Sequence, residues 1–230
     1  GRTIKNGKPF FMRAFYDLWG DEGTETIHEL AFDYLKGSDI NFNAINPYDY
    51  YWRFNEPLYY FKPFSELEDR GISISAAFHG FFLTNEGRLW EAENSRNVYS
   101  NMVYQMKQYP SIFGYYIFDE QDLNTMGDEL KWRYNVVSDA DPDKPTLAAH
   151  YKTDYRYGTL TKVTDILMED IYPVYGLETD DIAAKGRALR AFRDQFPNRP
   201  IYSVIQAFKG GMSASQGQRE PNEEELRNMV

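Results

Sequence analysis

The chain has 230 residues, 42% of them hydrophobic and 26% charged, which suits one large α/β domain or two small ones in an ordinary globular protein. A formal net charge of -10 without a basic patch argues against nucleic acid and anionic membrane as partners, and no apolar run approaches the ~20 residues of a membrane span. The absence of cysteine excludes disulfides, thiolate zinc sites and cysteine nucleophiles together.

The first residues, Gly1 to Pro9, carry charge and no apolar run, and the chain does not begin with Met. It reads as a piece of a longer protein whose export signal lies elsewhere. Beyond them, short apolar runs bounded by turn residues predict strands over residues 10–16, 40–46, 72–78, 112–118, 146–150, 166–171 and 201–206. Helical patterns lie between them, over 26–37, 57–70, 88–108, 125–139 and 179–195, with a weak one near 154–163. Several strands begin after turn chemistry: Gly37-Ser38, Gly71, Pro145, and Asn198-Arg199-Pro200. A last helix opens near Pro221, where Glu223, Glu224 and Glu225 suit the positive end of its dipole.

Alternating βα units imply a parallel sheet covered by helices in a single domain over residues 1–230. Seven units are countable. The expected fold is α/β, a TIM (β/α)8 barrel truncated after its seventh strand, with the eighth βα unit beyond Val230. An open doubly wound sheet is the competing fold. It is disfavoured because the one glycine cluster, Gly210-Gly211, lacks the GxGxxG spacing of a phosphate loop.

The stretch YPSIFGYYIFDEQD at 109–122 is the most informative. Its apolar strand runs straight into Asp119 and Glu120, and the C-terminal ends of strands are where α/β proteins bind ligands. The other predicted strands end on Tyr16 and Asp17, Asn46 and Tyr48, His79, His150, Asp170 and Tyr172, and Gln206. Taken singly, a histidine after a strand is most often a satisfied loop residue, and an aspartate is often a helix cap. Polar or titratable residues at nearly every strand end point instead to a shared cleft. The 19 Tyr, 16 Phe and 4 Trp fit an aromatic core, and equally a cleft lined with flat rings.

Three stretches carry a family resemblance. IKNGKPFFMRAFYD at the start resembles the entry to the catalytic barrel of clan A glycoside hydrolases. YPSIFGYYIFDEQD is similar to their fourth strand, and RPIYSVIQAFKGG followed by REPNEEELRNMV resembles the seventh strand and next helix of a bacterial branch of these barrels. The resemblance implies that Glu120 is the general acid/base and that Asp119 contacts the sugar 2-hydroxyl. Two positions depart from the pattern. Gln121 replaces a common proline, and Gln206 stands where retaining members carry a nucleophilic glutamate; an amide cannot form the glycosyl ester.

Glycoside hydrolysis ordinarily needs a second carboxylate, about 5–5.5 Å from the first in retaining enzymes and about 6.5–9.5 Å in inverting ones. Asp170 is the first candidate and Asp17 the second, which suits the wider, inverting separation. Tyr16, Asn46, His79, His150, Tyr172 and Gln206 would then bind substrate alongside Asp119, and Trp19, Tyr48 and Trp52 would stack on sugar faces. Three functions compete. The first is an extracellular or periplasmic glycoside hydrolase acting on a polysaccharide or oligosaccharide without metal or cofactor. The second is a carbohydrate-binding barrel that has lost catalysis, favoured by Gln206. The third is a metal-dependent amidohydrolase-type enzyme, suggested by His79 and His150 but lacking the usual H-x-H on the first strand.

Overall fold

The computed structural model describes residues 4–5, 7–9, 14–16, 42–45, 69, 73–77, 83–84, 87–88, 95–119, 123–150, 164–174, 181–205 and 221–229. In chain order the strands are β1 (Ile4–Lys5), β2 (Lys8–Pro9), β3 (Ala14–Tyr16), β4 (Phe42–Ile45), β5 (Ser73–Ala77), β6 (Leu83–Thr84), β7 (Gly87–Arg88), β8 (Ile112–Asp119), β9 (Thr146–His150), β10 (Ile166–Glu169) and β11 (Ile201–Ser203). The described helices are α1 (Ser95–Met106), α2 (Leu123–Ala140), α3 (Ala183–Gln195) and α4 (Glu223–Met229).

Seven strands form one sheet in the order β3-β4-β5-β8-β9-β10-β11, and every pairing in it is parallel. The protein is therefore α/β. Each predicted strand has its counterpart, and 146–150 matches β9 residue for residue. Strand order follows chain order without a reversal, whereas a doubly wound sheet reverses at a switch point. The predicted helix over 26–37 and the weak one near 154–163 lie outside the described residues, and of 57–70 only Asp69 is described, as helical. Two short antiparallel ladders, β1 with β2 and β6 with β7, were not predicted. The first turns through Gly7 at φ 74°, a left-handed conformation that glycine adopts without a Cβ penalty. No described helix is long and apolar enough to cross a membrane.

The sheet buries two distinct faces. Tyr115, Ile117 and Phe118 of β8, Ala148 of β9 and Leu167 of β10 pack with Val103 of α1, Leu130, Val136 and Val137 of α2 and Phe192 of α3. This is the helix side. Phe113 and Tyr116 of β8, Leu147 and Ala149 of β9, and Ile166 and Met168 of β10 form a second buried cluster, joined by Tyr202 and Val204. No described helix residue belongs to that cluster. Burial on both faces explains why β8 reads as an unbroken apolar run rather than an alternating one. On the helix side, Tyr99 of α1 meets Trp132 of α2 edge-on at 5.4 Å.

Asp165, just before β10, fastens the N-terminal ends of neighbouring strands. Its Oδ2 accepts from Thr146 N at 3.0 Å and Thr146 Oγ1 at 3.1 Å, and its Oδ1 accepts from the Tyr134 hydroxyl and from Arg199, each at 3.2 Å. Helix α4 opens with a reciprocal cap: Glu225 N donates to Asn222 Oδ1 at 2.9 Å, and Asn222 N donates to Glu225 Oε2 at 2.8 Å.

Gly114 is the tightest point of β8. A Cβ there would lie 2.4 Å from the Pro145 carbonyl oxygen and 2.8 Å from Leu147 Cδ1. Tyr115 N donates to the same Pro145 oxygen at 2.9 Å, so the approach is fixed by a hydrogen bond as well as by packing. Gly114→Ala should destabilise the fold by roughly 1–3 kcal/mol or more, since backbone cannot yield as a side chain can. Urea unfolding followed by circular dichroism measures this; an unchanged midpoint would contradict it.

Candidate functional site

The parallel strands bring their C-terminal ends to one end of the sheet. Asp119, the last residue of β8, pairs in register with Ala149, one residue before His150. His150 pairs with Glu169, and Glu169 pairs with Ser203. Asp170 continues the ladder, its N–H donating to the His150 carbonyl at 3.2 Å. The ends of β8, β9, β10 and β11 are thus level within about one residue.

Glu169 and Asp170 are both buried, but their surroundings differ. Glu169 is bound to the helix layer. Lys185 of α3, itself buried, places Nζ 3.1 Å from Glu169 Oε2 and 3.3 Å from Oε1. Ser203 Oγ donates to Oε2 at 2.9 Å, and Ile171 N donates to Oε1 at 2.7 Å. Lys185 Nζ also donates to the Ile171 carbonyl at 2.9 Å. The residues on either side of Asp170 are therefore fastened through side chain and main chain. Burial pushes the Glu169 carboxyl above its ordinary range, and the Lys185 charge and the donated hydrogen bonds pull it back. Burial pulls the Lys185 ammonium below its ordinary value, opposed by Glu169 and then Asp170.

A second buried pair stands behind β8. Arg133 of α2 donates through Nε to Glu129 Oε1 at 3.1 Å, and its Nη2 is ion-paired with the same carboxylate. Its Nη1 donates to the Ile117 carbonyl at 3.0 Å. Burial lowers the Arg133 pKa to about 10, with the Glu129 charge resisting the shift, so the guanidinium stays protonated at neutral pH. Glu129, Arg133 and Lys185 were not among the residues singled out from sequence. Their signal was charge on the core-facing stripe of a helix: Lys185 shares its stripe with Ala188 and Phe192, and Glu129 and Arg133 share theirs with Leu130, Val136 and Val137.

His150 is fully buried on the helix side, its ring 5.3 Å from that of Phe118 and 6.4 Å from that of Phe192. That is a core setting, different from the sugar contact expected of it. Burial pushes its pKa down to about 3, which keeps the imidazole neutral at physiological pH. Tyr172 is half-buried two residues beyond Asp170. Tyr16 and Asp119 occupy the last positions of β3 and β8. Asp17, Asn46, His79, Glu120 and Gln206 lie outside the described residues, as do Trp19, Tyr48 and Trp52. Of the ten predicted site residues, the structure thus brings the strand-end residues Asp119, His150 and Asp170 onto adjacent strands. Among the described residues no group of three His, Asp or Glu side chains is arranged to hold a metal ion.

No protein-family model and no curated protein matches the chain. Its fold is similar to that of solved glycosidases. A β-glucuronidase from Bacteroides uniformis aligns with 85% of this chain and 24% of its own at 16% identity and a TM-score of 0.60. The β-D-glucuronidase of Dictyoglomus thermophilum aligns with 97% of this chain and 41% of its own at 17% identity and a TM-score of 0.61. A GH2 β-galacturonidase from Eisenbergiella tayi, bound to galacturonate, aligns with 91% of this chain and 38% of its own at 16% identity and a TM-score of 0.58. The chain spans well under half the length of each of these structures. At such identities the likeness is one of fold.

Removing one partner of a buried ion pair leaves an uncompensated charge, at a cost of about 3–5 kcal/mol. Lys185→Met should lose that much at pH 7, because Glu169 then stays buried without its cation. The loss should shrink as the pH falls toward 5. A carboxyl whose folded pKa is raised above its unfolded value binds its proton more tightly when folded, so its penalty exists above the folded pKa and fades below it. Denaturant titrations at pH 7 and pH 5 measure both terms; a penalty that grows on acidification would contradict the assignment.

Proposed function

We propose that the chain forms seven staves of a TIM (β/α)8 barrel in a single domain over residues 1–230, and that it is a glycoside hydrolase acting on an oligosaccharide or polysaccharide. Three observations support the barrel. The sheet is singly wound, the described helices that pack on it join one face, and the other face is an apolar buried cluster of strand residues. The similar solved structures are glycosidases. The observation that carries the functional reading is the end of β8: Asp119 is level with Ala149, so the chain leaves toward Glu120 at the same end of the sheet as Asp170.

In this reading Glu120 protonates the leaving oxygen and Asp170 is the second carboxylate, activating water. Asp17, Tyr16, Asn46, His79, Asp119, Tyr172 and Gln206 contact the sugar, while His150 keeps its place in the core. The buried setting of Asp170 suits a carboxylate held rigidly in a closed site. Uronides are the first substrates to try, because two of the similar structures are β-glucuronidases and one a β-galacturonidase. A saccharide substrate fits work outside the cytoplasm, in the periplasm or beyond the cell, and the charge of -10 disfavours nucleic acid as a partner. Gln206, in place of a seventh-strand glutamate, favours a second reading, a barrel that binds carbohydrate without cleaving it.

A panel of aryl β-glucuronides, β-galacturonides and β-galactosides tests the proposal. Turnover should fall by about 100 to 10,000-fold in Glu120→Gln on substrates with poor leaving groups. Asp170→Asn should abolish it, and NMR of the first-formed product should show inversion at the anomeric carbon. A retained anomer, or covalent labelling of another residue by a cyclophellitol aziridine, would remove Asp170 from its role. Saccharide binding without any turnover would favour the second reading.

A further inference from the structure

The strand that leads to Glu120 contains an irregularity, and a buried cation sits on it. Tyr116 pairs with Leu147 and Phe118 pairs with Ala148, so β9 skips Ile117. On the other side, β5 is described as far as Ala77, which pairs with Tyr116. Among the described residues Ile117 therefore has no register partner on either neighbour, although it is fully buried. A buried carbonyl needs a donor, and here Arg133 Nη1 supplies one at 3.0 Å. The guanidinium is held in turn by Glu129, one helical turn away.

The skipped residue changes the phase of everything after it. Ile117 and Phe118 are consecutive, yet both lie in the helix-facing core. In a regular strand they would alternate. Without the skip Asp119 would pair with His150; with it, Asp119 pairs with Ala149, whose side chain belongs to the opposite cluster. The bulge thus sets the phase of Asp119, the residue before Glu120, and Arg133 is a side chain that engages it.

We propose that Arg133, oriented by Glu129, is a positioning residue for the Asp119–Glu120 pair, fixing the aim of the proton-donating carboxyl through the bulged carbonyl of Ile117. This rests on the reading of Glu120 as general acid. Arg133 touches no substrate. Its planar fork grips Glu129 and Ile117 at once, which the single ammonium of a lysine does with less directional control.

The test is leaving-group dependence. The double variant Glu129→Met/Arg133→Met removes the donor without stranding a buried charge, and apolar replacement of such a pair is often tolerated. Wild type, the double variant and Glu120→Gln are compared on phenyl and 2,4-dinitrophenyl glycosides of the sugar selected by the panel above. Dinitrophenolate departs without a proton, whereas phenolate needs one. The double variant should unfold cooperatively, lose about 10 to 100-fold in kcat/KM on the phenyl glycoside, and change little on the dinitrophenyl glycoside. Glu120→Gln should show the same selectivity more strongly. Equal losses on both substrates, or none on either, would overturn the proposal while leaving Glu120 in place. A Glu120→Gln variant without the selectivity would instead overturn the general-acid reading, and with it the role given to Arg133. Should the double variant not fold, Arg133→Lys keeps a cation for Glu129 and is read by the same comparison.

Discussion

Two buried cations on the helix layer, Arg133 and Lys185, each reach a carbonyl at or near the C-terminal end of a strand. Arg133 lies on the helix that follows β8 and donates to Ile117; Lys185 lies on the helix that follows β10 and donates to Ile171. Each is neutralised by a buried glutamate, Glu129 or Glu169. A buried ion pair contributes little net stability over well-packed apolar residues. Apolar residues, however, cannot donate to a strand-end carbonyl. The pairs therefore make the C-terminal ends of β8 and β10 specific.

The two ends of the sheet differ accordingly. At the N-terminal end, Asp165 fastens Thr146, Tyr134 and Arg199 in one cluster of ordinary hydrogen bonds. At the C-terminal end, buried charge concentrates behind the strands, while Asp119 ends β8 and Asp170 follows β10. In the proposed barrel, such a division would leave the C-terminal end to the chemistry.

Much of the fold was legible in the sequence. Strands buried on both faces are short apolar runs between turns, and Thr146–His150 after Pro145 is the clearest case. The opening of α4 was equally plain from Pro221 and the acidic first turn, and the structure adds a reciprocal cap between Asn222 and Glu225. The bulge was not legible: IFGYYIFD has no residue that marks Ile117, and the skip emerges only from pairing with β9. Nor was the strength of the Gly114 constraint, which comes from Pro145 on a neighbouring segment. His150 shows the limit of reading strand ends as a cleft. It is the last residue of its strand, yet alternation from Ala149 turns it to the helices and to Phe192. The same alternation separates Glu169, tied to Lys185, from Asp170, and that part of the pattern was foreseeable from the strand period alone.

Native-state hydrogen exchange at the strand exit tests most directly whether these exits are locked from the helix side. The Asp170 amide donates to the His150 carbonyl, and the Ile171 amide donates to the Glu169 carboxylate. If the buried pair holds the exit, both amides exchange only through global unfolding, with the same opening free energy as the Leu167 amide in the middle of β10. Exchange of Asp170 and Ile171 through a local opening, orders of magnitude faster than that of Leu167, would contradict the account.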